Sequence, residues 1–264
     1  MAETGSKAMP QMQVRGTLPE GAASEADASS KVREMFTQIA PRYDLLNHLL
    51  SLQLDRLWRA RVTRRLRPIL GRADAVVLDL CCGTGDLALS LARGAKARVM
   101  GADFAHPMLL RAREKAAQQS AGDGTRLIPF LEADALRLPF ADGSFDLVTA
   151  AFGFRNLANY ESGLREIHRV LKPAGCIAIL EFTEPPDNFL GSVYRWYFSN
   201  VLPRIGGMLS GDPAAYKYLP QSVSRFLRPG ALSELMAAVG YASIEFETYT
   251  FATVCLHLGK KQTV

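Results

Sequence analysis

Residues 77–89 read VLDLCCGTGDLAL: a short apolar run, two cysteines, two glycines separated by a threonine, and then apolar residues at helical spacing. Gly83 and Gly85 directly follow a predicted strand and open a predicted helix, so the chain can turn sharply and a ligand can approach bare backbone. Ala88 completes a G-x-G-x-x-A pattern. Because a dinucleotide site would carry the same pattern, neighbouring residues have to identify the ligand.

Short apolar runs recur through the middle of the chain and predict a parallel sheet. They lie at residues 75–80, 97–104, 125–134, 145–153 and 176–182, with helix-like segments between them. Strands that are buried on both faces and alternate with helices form a doubly wound sheet. One predicted helix, in the segment 160–175, carries Leu164, Ile167 and Leu171 on one face, and Pro173 and Gly175 end it.

The end of the chain departs from this alternation. The segments ASIEFETYT (242–250) and ATVCLHLGKK (252–261) read as two strands that are too close together for a helical crossover. A connection this short requires antiparallel pairing. The sequence therefore predicts an α/β fold with a seven-stranded, mostly parallel, doubly wound sheet that ends in an antiparallel hairpin.

Length and composition allow one large domain, since the chain has 264 residues of which 48% are hydrophobic and 22% charged. We predict a disordered tail over residues 1–30, which lack apolar periodicity, and a single domain over 31–264. Helical spacing interrupted by Pro41 predicts N-terminal helices within 31–70. The aromatic-rich insertion 183–229 is typical of a substrate cover; the alternative is extra helices that only enlarge the core.

Charge and cysteine content exclude few functions. The formal net charge of +5 is compatible with nucleic acid, an anionic membrane or acidic metabolites. The four cysteines show no C-x-x-C pair and no histidine at ligand spacing, so we expect neither a metal site nor a disulfide framework. Without a secretory signal or an apolar run of about 18 residues, we predict a cytoplasmic protein that at most lies on a membrane.

Three acids stand at the ends of the first three predicted strands. Asp79 precedes the glycine turn, where a carboxylate suits a cationic amino group better than a pyrophosphate. Asp103 follows the next strand and is placed to bind ribose hydroxyls, and Asp134 can accept a hydrogen bond from an adenine amine. Together they predict S-adenosylmethionine as the ligand. Singly, each acid could instead cap backbone amides.

At this point the sequence resembles a known family. The stretches LDLCCGTGD, ADALRLPFADGSFDLV and HRVLKPAG are similar to motifs of class I S-adenosylmethionine-dependent methyltransferases. More specifically, residues 43–58, 152–156 (FGFRN) and 169–185 resemble signatures of the menaquinone/ubiquinone C-methyltransferase family (UbiE/MenG). The likeness runs from about Val32 to Lys261. It implies the class I methyltransferase fold.

The resemblance also implies a set of cofactor contacts. With the glycine turn and the three acids, the predicted cofactor site comprises Asp79, Gly83, Thr84, Gly85, Asp103, Asp134, Ala135 and Ala151. This chain departs from the family at Ala151, where many members have serine. It also has Asp55 where the signature often has histidine, and Ala174 where it has glycine.

The implied reaction is methylation of a quinol ring carbon, with no metal and no covalent enzyme intermediate. The ring carbon is nucleophilic only in the reduced quinol with one hydroxyl wholly or partly deprotonated. We predict that Arg155 stabilises the phenolate, that Asn156 orients the ring and that Tyr43 takes part in substrate activation. For Arg155 a salt bridge to a nearby acid is the alternative.

The expected substrate is demethylmenaquinol, converted to menaquinol in menaquinone biosynthesis. The ubiquinone-pathway 2-polyprenyl-6-methoxybenzoquinol, alone or as a second substrate, remains an alternative. More distant alternatives are a methyltransferase acting on RNA or another small molecule, and a non-catalytic protein that binds S-adenosylmethionine. We expect no nucleic-acid partner, and the sequence leaves a homo-oligomer open.

The polyprenyl tail of such a substrate resides in the bilayer, so we predict contact with the inner face of the cytoplasmic membrane. The predicted surface combines Trp58 and Leu66 with an arginine-rich helix. Its arginines are Arg56, Arg59, Arg61, Arg64, Arg65 and Arg67. A solvated helix face is an equal alternative for this cluster.

Overall fold

The computed structural model describes residues 16–17, 19–44, 51, 53–185, 191–192, 196, 200 and 213–262. About half of the predicted substrate cover, 183–229, therefore lies outside the described residues, as does part of the predicted N-terminal helical region. Among the described residues, no helix is long and apolar enough to cross a membrane.

The predicted seven-stranded sheet is confirmed. Its strands are β1 (Val76–Leu80), β2 (Arg98–Asp103), β3 (Phe130–Glu132), β4 (Phe145–Ala151), β5 (Leu171–Phe182), β6 (Tyr241–Tyr249) and β7 (Val254–Lys261), in the order β3-β2-β1-β4-β5-β7-β6. The first five strands are parallel, and β7 inserts antiparallel between β5 and β6. The predicted hairpin thus closes one side of the sheet.

Helices cover both faces of this sheet. Those of the described residues are α1 (Glu25–Ile39), α2 (Leu54–Arg65), α3 (Arg67–Leu70), α4 (Asp86–Ala92), α5 (His106–Asp123), α6 (Tyr160–Val170), α7 (Pro213–Arg225) and α8 (Pro229–Val239). α2, α4 and α5 pack with Val77 of β1 on one face. α6 and α8 pack with Leu78 and Leu80 on the other. This alternation is what a strand buried on both faces requires.

The N-terminal boundary of the predicted domain is wrong. α1 begins at Glu25, because the hydroxyl of Ser24 accepts a hydrogen bond from the Asp27 amide and two acids occupy the first turn. The predicted tail over residues 1–30 therefore overlaps the first turns of a helix. Residues 16–17 are also placed against the body of the protein, as described below.

The predicted helix over 160–175 is too long. α6 ends at Val170, and Leu171 begins β5, where it pairs with Phe145. The pairing resumes five residues later at Cys176, so residues 172–175 form an excursion from the pairing with β4. Leu171 is buried, but as a strand residue rather than on the helix face.

A substitution at Ala174 tests how much this excursion costs in free energy of unfolding. It is exposed and has φ 60°, a left-handed conformation that disfavours any residue with a Cβ. We expect Ala174→Gly to raise the free energy of unfolding by about 0.5–1 kcal/mol. Urea denaturation at constant pH measures the change.

The matched control is Ala117→Gly, at an exposed position inside α5. There the backbone is helical, so glycine should lower the free energy of unfolding by about 0.8–1 kcal/mol. If both substitutions destabilise equally, the left-handed conformation of Ala174 costs nothing and the prediction is wrong.

Candidate active site

A cavity opens at the carboxyl ends of β1, β2 and β4, the position where open α/β sheets bind ligands. Its volume is about 650 Å³, counting the open mouth. The floor includes Leu80 and Cys81, and Ser29, Phe36 and Tyr43 from the N-terminal region close it from above. Helix α1 therefore shields the ends of the strands from solvent.

The glycine turn has the backbone that the sequence predicts. Gly83 and Gly85 have φ values of 53° and 83°, and Gly83 lines the cavity. A Cβ on Gly85 would lie 3.1 Å from the side chains of Ala112 and Phe130, so glycine lets the turn pack against α5 and β3. Cys81 also has a positive φ, 54°, and burial raises the pKa of its thiol. The Cys81 side chain acts as packing against the cavity.

Asp103 fixes the turn to the end of β2. Its carboxylate accepts hydrogen bonds from the amides of Gly83 at 2.8 Å and Ala105 at 2.9 Å, and it lines the cavity. Burial raises its pKa, against the opposing effect of these amides. Asp134 and Ala135 line the same cavity, and Asp134 accepts from the Leu136 amide at 2.9 Å. These predicted cofactor residues are thus gathered in one place.

Thr84 and Ala151 do not line the cavity formed by the described residues. The hydroxyl of Thr84, which is 2% exposed, donates a hydrogen bond to Asp44. Lys115 donates to Thr84 and Asp44 at 3.2 and 3.0 Å. Thr84 therefore ties the N-terminal region to the glycine turn. Ala151 packs against the core that includes α2.

Asp79 lies beneath the turn rather than in the cavity. It is 1% exposed, and Thr149 donates a hydrogen bond to its Oδ1 at 2.8 Å. Its Oδ2 makes no hydrogen bond within the described part of the chain. Burial raises its pKa to about 7. The predicted contact between Asp79 and a cationic amino group has no support in this geometry.

The FGFRN segment follows β4 and forms one wall of the cavity. Phe152, Gly153 and Asn156 line it. A Cβ on Gly153 would lie 2.4 Å from the Cβ of Cys81, so glycine lets this wall approach the glycine turn. Phe152 packs on Trp58 with ring centroids 5.8 Å apart. This wall is apolar apart from Asn156.

Arg155, in contrast, turns away from the cavity. It is 5% exposed and forms an ion pair with Glu181 of β5 at 2.7 Å. Its guanidinium also donates to the Phe152 carbonyl and, at 3.3 Å, to the hydroxyl of Ser222 in α7. The salt bridge, the alternative for this residue, is the observed state. Arg155 is consequently a positioning residue for the wall rather than a direct contact for a phenolate.

Asn156 and Tyr43 do line the cavity. Tyr43 stands edge-on to Phe36, with ring centroids 6.0 Å apart. The Oδ1 of Asn156 accepts a hydrogen bond from the hydroxyl of Tyr218 at 3.0 Å. Sequence reasoning placed Tyr218 only within an aromatic-rich cover, because nothing in the pattern identifies its partner 62 residues away.

Comparison with known proteins decides the family. The sequence profile of the ubiE/COQ5 methyltransferase family matches residues 24–261. The chain belongs to the ubiE/COQ5 methyltransferase family. It is 52% identical to the demethylmenaquinone methyltransferase of Thermus thermophilus over 86% of this chain and 100% of that protein. It is 41% identical to the ubiquinone/menaquinone biosynthesis C-methyltransferase UbiE of Geobacter sulfurreducens, over 89% of this chain and 90% of that one.

Solved structures share the fold of this family member. A [4+2]-cyclase, SpnF, covers 94% of this chain and 100% of its own, with a TM-score of 0.65 and 18% identity. A SAM-dependent methyltransferase from Thermotoga maritima covers 87% of this chain and 99% of its own, with a TM-score of 0.61 and 19% identity. These neighbours establish the predicted fold class and nothing about the reaction.

S-adenosylmethionine, the predicted cofactor, fits the residues of the cavity. Gly83 offers bare backbone, Asp103 an oriented carboxylate, and Asp134 a second carboxylate. Phe104 and Leu136 supply apolar surface for a flat ring system. In this family member Asp103 would hold the ribose and Asp134 the adenine amine.

The buried carboxyl of Asp79 generates a prediction about pH. Its folded pKa of about 7 lies above the value of about 3.9 in an unfolded chain, so folding favours the protonated form. The stability it contributes is fully present below the unfolded pKa and is lost as pH rises through 7. Asp79→Asn mimics the protonated form. We expect the difference in unfolding free energy, variant minus wild type, to be about 2–3 kcal/mol larger at pH 8 than at pH 5.

Urea denaturation of the variant and the wild type at pH 5 and pH 8 measures this difference. Groups that titrate in the same way in both proteins contribute equally and cancel. The control is Asp74→Asn, because the hydrogen bond from Arg72 lowers the pKa of that exposed carboxyl. Its difference should stay nearly constant between pH 5 and pH 8, because a carboxyl with a lowered pKa is ionised over this range in both the folded and the unfolded chain. A difference for Asp79→Asn that does not change with pH would contradict a raised pKa.

The Arg155–Glu181 pair generates a prediction about stability. Arg155→Met leaves a buried carboxylate without its cation, so we expect a loss of about 3–5 kcal/mol in unfolding free energy at pH 7. Adding Glu181→Gln removes that charge and keeps an acceptor for the Phe182 amide. The double variant should regain at least about 2 kcal/mol.

The control for this pair is Arg165→Met, which breaks the exposed ion pair with Glu161 in α6. That substitution should cost less than about 0.5 kcal/mol. Urea denaturation of the four proteins is sufficient. A stable Arg155→Met variant would show that the pair does not constrain the wall.

Proposed function

We propose that the protein transfers a methyl group from S-adenosylmethionine to a ring carbon of demethylmenaquinol, giving menaquinol. One observation carries the proposal: a single cavity unites the carboxylates of Asp103 and Asp134 with an apolar wall that bears Asn156. This cavity lies in a chain that is 52% identical to a demethylmenaquinone methyltransferase over that enzyme's whole length.

The chemistry requires positioning and deprotonation of the quinol. When bound, S-adenosylmethionine supplies a methyl group on a positively charged sulfur, which a carbon nucleophile attacks. Phe36 and Phe152 offer apolar surface for the quinol ring. Asn156 of this wall and Tyr43 of the N-terminal region bind the quinol oxygens, and the amide of Asn156 stabilises the phenolate. Helix α1 excludes water from the reacting groups.

The proposal includes contact with an anionic membrane, and the structure revises the surface involved. Trp58 and Leu66 are each only 3% exposed. Arg59 pairs with Asp55 at 2.5 Å, and Arg65 pairs with Glu247 at 3.1 Å. These four residues of the predicted patch therefore lie buried or neutralised.

Two other apolar side chains replace them. Leu57 is 45% exposed and Phe251 is 71% exposed. Their elements are joined by a hydrogen bond from the indole of Trp58 to the Thr250 hydroxyl at 2.8 Å. Phe251 stands at the β6–β7 tip, on the same edge of the sheet as the cavity, since Val254 pairs with the last residue of β5. Arginines 56, 61 and 64 are exposed nearby on α2.

The function is tested by transfer of a labelled methyl group from S-adenosylmethionine to reduced demethylmenaquinone. We expect turnover with the reduced form and none with the oxidised quinone, whose ring carbon is not nucleophilic. Reduced 2-polyprenyl-6-methoxybenzoquinone serves as the rival substrate. Transfer to both quinols would make the enzyme dual, and absence of transfer to the naphthoquinol while the cofactor binds would overturn the proposal.

The same assay addresses the membrane surface when the quinol is supplied in anionic vesicles and, separately, in detergent. Phe251→Ser should lower activity with vesicles and leave activity in detergent unchanged. Leu127→Ser is the matched control, because Leu127 is 63% exposed but precedes β3, at the opposite edge of the sheet. Equal activity of Phe251→Ser and wild type on vesicles would remove the membrane contact from the proposal.

A further inference from the structure

A short segment ahead of the first helix lies against the wall of the cavity. The amide of Gly16 donates to the carbonyl of Ala158 at 3.1 Å, and the amide of Thr17 donates to the carbonyl of Leu157 at 2.7 Å. Leu157 and Ala158 themselves line the cavity. We call residues 16–17 the strap. It binds the wall directly after Asn156.

The approach of the strap is unusually close. A Cβ on Gly16 would lie 2.1 Å from the carbonyl carbon of Ala158, a distance that no side chain can adopt. Glycine at this position is therefore required for the two backbone hydrogen bonds. The family profile begins at residue 24, so the strap lies outside the part of the chain that it matches.

The strap also reaches the site through a side chain. Thr17 is 5% exposed, and its hydroxyl lies 2.8 Å from the hydroxyl of Tyr218. Tyr218 uses its single hydrogen to donate to Oδ1 of Asn156. The Tyr218 oxygen therefore accepts from Thr17, and the three groups form a directed chain.

This chain determines which end of the Asn156 amide faces the cavity. With Oδ1 held by Tyr218, the amide nitrogen is the end left for a ligand; within the described part of the protein no hydrogen bond uses it. An N–H group here can donate to a quinol oxygen and stabilise its anion. Without the hydroxyl of Thr17, Tyr218 loses the donor that holds its oxygen in place.

We propose that the strap is part of the active site and that Thr17 is a positioning residue, which acts through Tyr218 to present the amide nitrogen of Asn156 to the substrate oxygen. The inference rests on the proposed function for the identity of that substrate, a quinol. Docking of the strap itself does not depend on it.

The first test compares Thr17→Val with wild type, using reduced demethylmenaquinone. Valine keeps the size and the backbone hydrogen bonds but lacks the hydroxyl. We expect kcat/KM for the quinol to fall about 3–10-fold, the equivalent of one hydrogen bond, with an unchanged Kd for S-adenosylmethionine. Thr17→Ser should restore the wild-type value.

Two readouts separate positioning from a purely structural role. In Thr17→Val the acidic limb of the kcat/KM profile should move to higher pH, because the phenolate is less stabilised. In Tyr218→Phe, adding Thr17→Val should cause no further loss, since the chain is already broken. Wild-type kcat/KM and pH profile in Thr17→Val, or an additive loss in the double variant, would overturn the role of Thr17.

The last experiment is independent of the substrate. Hydrogen exchange by mass spectrometry on the full chain follows the peptide that contains residues 16–17. Both amides should be protected in wild type and in Thr17→Val, and unprotected in Gly16→Ala, where the added Cβ expels the strap. Exchange at the free-peptide rate in wild type would overturn the proposal even if methyl transfer to quinols is established. Protection without any quinol turnover would instead refute the function and leave the docked strap intact.

Discussion

The wall of the active site depends on one buried ion pair, between Arg155 and Glu181. The side chains are 6% and 1% exposed, so both charges have left water almost completely. Such a pair is tolerable only when other hydrogen bonds satisfy the remaining donors and acceptors. The Glu181 carboxylate also accepts from the amides of Arg155 and Phe182, and the Arg155 guanidinium also donates to Phe152 and Ser222. These bonds attach the segment after β4 to β5 and α7.

Several separate parts of the chain meet at this wall because the ion pair holds it still. Asn156 follows Arg155 directly and meets α7 through Tyr218. The next two residues supply the carbonyls that bind the strap. The opposite side of the cavity is fixed by another carboxylate, Asp103, which binds the amides at the glycine turn and at the start of α5. One carboxylate thus shapes the cofactor end and another shapes the substrate end.

The sheet could be predicted from the sequence because the five parallel strands fall in short apolar runs and because the short connection between the last two strands permits only antiparallel pairing. Asp103 and Asp134 could be placed for a related reason, since the ends of parallel strands meet at one edge. The orientation of a side chain could not be predicted in this way. Arg155 turns away from the cavity toward Glu181, a partner 26 residues along the chain that no local pattern identifies. Asp79 faces the layer of α2 and α4, because it alternates along β1 with Leu78 and Leu80, which face the other layer.

The start of α1 did have a local signal, Ser24 followed by two acids, which the polar composition of the region obscured. The strap has no such signal, because two of its bonds join backbone to backbone.

The fold by itself does not determine the chemistry, since a [4+2]-cyclase shares it over its whole length. The reaction depends on the residues that line the cavity. Among the described residues that line it, the carboxylates are Asp103 and Asp134, both at the cofactor end, and none is a histidine, lysine or glutamate. The described part of the substrate wall therefore offers hydrogen bonds and apolar surface but no strong base. A substrate suited to such a wall must bring an acidic hydroxyl of its own and needs its anion stabilised more than its proton removed. A quinol meets that requirement, and the amide of Asn156 is the group in this wall that can stabilise the anion.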